Sequence, residues 1–113
     1  MKKDHIRDYA TEAFRYYARN KGKVPDGASD AAAADVIAVE KVMCELQDRN
    51  EPYAADVLKA VYFLHPQYPL RRRDISMRVI NAAFSFQTNE RKVYYILAEA
   101  RRLFAAFRGL REN

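Results

Sequence analysis

The chain contains no tryptophan, a single cysteine, two histidines and only three glycines in 113 residues. Each scarcity excludes something. One cysteine, Cys44, rules out an intramolecular disulfide, and its neighbours Val42, Met43 and Leu46 mark it as a buried thiol acting as a small hydrophobe. His5 and His65 lie in different segments, and no Cys-x-x-Cys or His-x-x-x-His pair exists, so a metal site is not expected. Three glycines cannot build a phosphate-cradling loop of the usual kind, so no nucleotide cofactor is expected either. No apolar run approaches the roughly 18 residues of a spanning helix. The basic start, Met1-Lys2-Lys3, is followed by no apolar stretch of the kind a secretion signal needs, which points to a cytoplasmic protein without membrane partners.

What is present is helical. Half the residues are hydrophobic and 31% are charged, the balance of a globular chain with one core. From Asp4 to about Asn20, the side chains of Ile6, Tyr9, Ala10, Ala13, Phe14 and Tyr17 share one stripe, with Asp8, Glu12, Arg15 and Arg19 elsewhere. Asp4, Asp8 and Glu12 stack along this helix as favourable acids of its first turns, and Glu12 is spaced for a surface pair with Arg15. A break at Lys21 to Gly27 precedes a second helix, capped by Ser29 or Asp30, whose inward face is Val36, Val39, Val42, Met43 and Leu46, ending near Arg49 or Asn50. Pro52 suits the first turn of a third, with Val57, Leu58, Val61 and Leu64 as its stripe and Pro66 as its stop.

The expected architecture is an all-α, compact five-helix bundle. Residues 1–65 form a three-helix region, 66–73 a Pro/Arg linker, and 74–113 a helix-turn-helix unit sharing the same core. In that unit Asp74 caps a short helix carrying Ile75, Val79 and Ala82 or Ala83. Phe84 to Thr88 make the turn, and Thr88 or Asn89 caps a long last helix. Val93, Ile96 or Leu97, Ala100, Leu103 or Phe104, and Phe107 point inward along it, and Gly109 ends it.

Charge is distributed unequally. Residues 1–50 hold nine Lys and Arg against nine acids, whereas residues 71–113 hold ten against four. Basic side chains that neutralise phosphates release counterions, and this drives much of DNA binding. A helix-turn-helix places the start of its second helix at the base edges. On this basis Arg71, Arg72, Arg73, Arg78, Thr88, Asn89, Arg91, Lys92 and Tyr95 form the candidate contact to double-stranded DNA. The eight tyrosines include the pairs Tyr16-Tyr17 and Tyr94-Tyr95, in each of which one member belongs at or near the surface. A surface rich in tyrosine and arginine also suits a non-enzymatic helical adaptor or assembly protein.

The stretch Asn89-Glu90-Arg91-Lys92-Val93-Tyr94-Tyr95-Ile96-Leu97-Ala98-Glu99-Ala100 resembles the Ser-Glu-Arg-Thr-Val-Tyr-Arg-x-Leu-x-x-Ala segment of small phage and prophage transcription regulators of the RinA and ArpU type. The resemblance covers roughly residues 74–108 and is loose before them. It implies a C-terminal module similar to sigma-factor region 4 and no enzymatic activity. Arg91 and Lys92 would then be phosphate or base contacts, Val93 and Leu97 packing residues, and Asn89 a cap in place of serine. RNA polymerase and a second copy of the chain are the further partners it suggests. Tyr95 stands where those regulators usually have arginine, and a tyrosine cannot grip guanine bidentately.

Overall fold

The computed structural model describes residues 4–49 and 53–110. The expectations for Lys2, Lys3, Asn50 and Pro52 lie outside them. Among the described residues there is no strand, and five helices follow one another: α1 (His5–Arg19), α2 (Asp30–Asp48), α3 (Ala54–Leu58, prolonged as a π-helix over Lys59–Phe63), α4 (Arg72–Ser85) and α5 (Glu90–Arg108). No described helix is long and apolar enough to cross a membrane. One hydrophobic cluster draws residues from all five helices.

Local chemistry sets the helix starts. Asp4 Oδ1 accepts from Arg7 N at 2.9 Å and Ser29 Oγ from Ala32 N at 3.1 Å, each satisfying a first-turn donor. All five apolar positions expected on α2 are buried. Cys44 is not: it is exposed, because it lies about 140° around the helix from the centre of the stripe formed by Val39, Val42, Met43 and Leu46. α5 packs against α1, α2, α3 and α4, with Ile96 and Leu97, and Leu103 and Phe104, all buried. Phe107, expected to point inward, is instead 41% exposed one residue before the helix end. In the centre, the Phe14 ring stacks on Tyr62 at 5.7 Å and tilts against Phe104 at the same distance. Arg108 Nε meets Asp35 at 2.6 Å while the Tyr9 hydroxyl donates to the same carboxylate, joining α1, α2 and α5.

Arg15 departs most from expectation. It is only 3% exposed and does not pair with Glu12, whose carboxylate binds Arg19 at 2.9 Å. Its guanidinium donates to the carbonyls of Tyr62 at 2.9 Å, Leu64 at 2.7 Å and His65 at 2.8 Å, and also to that of Tyr68. These carbonyls end the π-helix and open the proline segment. Those of Tyr62 and Leu64 lie at the negative end of the helix and those of His65 and Tyr68 in the segment that follows, and a planar fork of donors suits them. Arg78 reaches Val61 O at 2.8 Å from α4. Burial, with Arg78 as the next cause, pushes the Arg15 guanidinium below its usual pKa. The π-helix also turns the end of α3, so Tyr62 is buried and Leu64, expected inside, is 46% exposed.

Arg15→Met should lower stability by about 3 kcal/mol, since one buried and three partly buried carbonyls lose a charged donor together. Urea unfolding would show a lower midpoint at an unchanged slope. Arg15→Lys should recover only part, because an ammonium lacks the fork. A loss below about 1 kcal/mol for the methionine variant would contradict this role.

The Tyr17 hydroxyl donates to Glu40. Burial and then this bond push its pKa up to about 12 from 10. The folded state keeps a proton that the unfolded chain releases, so this contribution is intact below pH 10 and lost between pH 10 and 12. The urea midpoint of Tyr17→Phe should therefore decline less steeply than that of the wild type across this interval.

Candidate nucleic-acid interface

α4 begins earlier and ends later than the sequence indicates. Arg71 is the N-cap and Asp74 occupies the third helical position, its carboxylate accepting from Arg71 N at 3.0 Å. This is the return half of a capping box. At the other end the helix runs through Ser85, leaving Phe86, Gln87, Thr88 and Asn89 before α5. The connection is thus four residues long, within the span of a helix-turn-helix and shorter than the five expected from Phe84 to Thr88.

The turn is closed by a Schellman motif. Thr88 N donates to Ala83 O at 2.9 Å and Gln87 N to Phe84 O at 3.2 Å, with Gln87 at a left-handed φ of 55°. Such turns favour glycine at this position, and here the conformation is present without the residue. Asn89 then caps α5, its Oδ1 accepting from Lys92 N at 2.8 Å.

The candidate contacts divide into two kinds. Arg71, Arg72 and Arg73 are exposed at the start of α4, and Arg91 is exposed in the first turn of α5. Among the described residues none of these four side chains has an ion-pair partner. Tyr95 is exposed, and the Lys92 ammonium lies 5.3 Å from its ring centre, a cation–π contact that keeps both on the outer face of α5. Val93, Ile96 and Ala100 occupy the opposite, buried face. Arg78, by contrast, is half-buried and committed to Val61 O, while Thr88 is half-buried within the turn.

Much of the remaining basic surplus is paired within the chain. Arg101 donates to the Tyr62 hydroxyl at 2.7 Å, the exposed Arg102 to Glu99 at 2.6 Å, and Arg108 to Asp35. Among the described residues, the exposed arginines of this unit without a partner therefore gather at two helix N-termini, separated by the length of α4, about 20 Å at 1.5 Å per residue. The tyrosine pairs also resolve: Tyr94 and Tyr95 are both exposed, Tyr16 and Tyr17 both half-buried.

Sequence reading missed one feature of this unit. Met77, Ile80 and Phe84 are 55%, 48% and 86% exposed along the outer side of α4, opposite Val79, Ala82 and Ala83. The signal was available as a second apolar repeat at helical spacing. No family model, no curated protein and no solved structure matches this chain.

Gln87→Gly should raise stability by about 0.5 to 1 kcal/mol, because it removes the Cβ penalty of the left-handed conformation at some cost in unfolded-state entropy. The thermal midpoint should rise, and Gln87→Val should lower it. An unchanged midpoint in both variants would mean that the turn is not held in this conformation.

Proposed function

We propose that the chain is a duplex-DNA-binding regulator of transcription, of the phage and prophage type, using the α4–α5 unit as a sigma region 4-like reader. One observation carries this reading. Once the arginines bound to a carbonyl, a hydroxyl or an acid of the chain are set aside, those without partners among the described residues of the unit stand at the starts of α4 and α5. At a helix start the backbone dipole and first-turn donors favour anions, and arginine adds bidentate phosphate contacts. In a helix-turn-helix the second helix enters the major groove by its first residues, here Arg91, Lys92 and Tyr95.

Tyr95 gives the reading its character. Its ring meets the Lys92 ammonium, so it can contact a phosphate or a thymine methyl but offers no fork to guanine. The proposed binding is therefore dominated by phosphate contacts and weakly selective for sequence. RNA polymerase and a second copy remain partners to be sought with the same protein.

Fluorescence anisotropy with duplex DNA over a salt series tests this. Affinity should fall linearly on log–log axes, and Arg91→Gln should flatten the slope by about 0.9, the value for one phosphate contact. Neutralising Arg71, Arg72 and Arg73 together should flatten it further. Absence of binding at low salt, or slopes unmoved by all four substitutions, would overturn the reading.

A further inference from the structure

α4 is apolar on two sides. Val79, Ala82 and Ala83 face the core, while Met77, Ile80 and Phe84 face outward with nothing among the described residues covering them. Arg73, Met77, Ile80 and Phe84 recur at intervals of four, three and four, which brings all four within a narrow stripe of the helix. A phenylalanine that is 86% exposed on a well-formed helix keeps its ring in water with no intramolecular return.

The charge around this stripe identifies its occupant. Arg71, Arg72 and Arg73 flank one end and Arg91 lies beyond the turn at the other, while no acidic residue occurs between Ile75 and Asn89. Asp74 is held by the backbone amide of Arg71. A second copy of the chain fits poorly. An antiparallel pairing of two α4 helices would set Arg71–Arg73 of one copy near Arg91 of the other, and a parallel pairing would set the triplets together. Both juxtapose like charges on an otherwise apolar contact.

We infer that the outer face of α4 docks an acidic amphipathic helix of a partner protein, with Met77, Ile80 and Phe84 entering its apolar stripe and Arg73 and Arg91 meeting its flanking carboxylates. The recognition is helix against helix, read through anchors at three- and four-residue spacing. It does not depend on DNA binding, but it uses two of the same arginines, so an occupied stripe and a bound duplex exclude one another.

The test uses the full chain and a labelled synthetic helix of about four turns, with leucines at i, i+3, i+4 and i+7 bordered by Asp and Glu, in the absence of DNA. Saturable binding is expected. Phe84→Glu should weaken it at least tenfold, and Arg73→Gln should weaken it severalfold with a shallower salt dependence. Both sites are exposed, and unchanged thermal midpoints would establish that the variants fold. A control peptide with lysines replacing the acids should fail to bind. Equal binding of both peptides, no binding of the acidic one, or a wild-type dimer that Phe84→Glu dissociates would each overturn the assignment. DNA titration of the neutral variant Phe84→Gln separates the two proposals, since it should weaken binding of the acidic peptide while leaving the phosphate contacts of a duplex reader, and so its affinity, little changed.

Discussion

The fold depends on a buried charge held by carbonyls rather than by an ion pair. Arg15, buried in α1, has no ion-pair partner among the described residues; it gathers the carbonyls of Tyr62, Leu64, His65 and Tyr68, all from the end of α3 and the proline segment. A buried cation is costly unless its donors are satisfied, and an unpaired carbonyl in the same place is costly as well. Each deficiency resolves the other. The backbone pays a local penalty for this arrangement, because His65 sits at a left-handed φ of 47° and the last turn of α3 is widened to a π-helix.

From that junction the position of α4 follows. The segment bound by Arg15 leads into Arg71, the N-cap of α4, and Arg78 returns from α4 to the carbonyl of Val61, the residue before Tyr62. Two arginines thus approach the same negative helix end from opposite sides, one from α1 and one from α4. Their mutual repulsion is borne by the carbonyl bonds, and the result fixes which way α4 faces. Val79, Ala82 and Ala83 meet α5, and the small alanines allow close approach. Met77, Ile80 and Phe84 are left outside by the same rotation.

The sequence disclosed the parts of this design that rest on periodicity. α2 shows its whole buried stripe, Ser29 and Asn89 cap where a short polar side chain precedes an apolar repeat, and α5 reads as amphipathic along nearly its full length. It could not disclose Arg15. The partners are main-chain carbonyls 47 to 53 residues away, and a carbonyl carries no side-chain signature. The same cause hid the π-helix and so exchanged Tyr62 for Leu64 as the buried residue. At α4 the difference is one of position. By sequence Asp74 suits the cap itself, although an acid three residues after the cap bonds back to it equally well.

The candidate interface was legible as charge but not as charge available for binding. Ten basic residues between 71 and 113 suggest a broad positive surface, yet Arg78, Arg101, Arg102 and Arg108 are held by a carbonyl, a hydroxyl and two acids of the chain itself. Among the described residues, the four exposed arginines without partners stand in two groups with an apolar stripe between them. A duplex that contacts both groups spans Met77, Ile80 and Phe84 without closing on them, because phosphate is poorly placed against methyl groups and an aromatic ring. An apolar helix edge bordered by carboxylates, by contrast, fits both the stripe and its flanking charges. The two proposed partners therefore share arginines and differ in what they ask of the surface between them. In the proposed regulator the stripe of Met77, Ile80 and Phe84 is matched by protein, and Arg73 and Arg91 are the residues for which the duplex and the acidic helix compete.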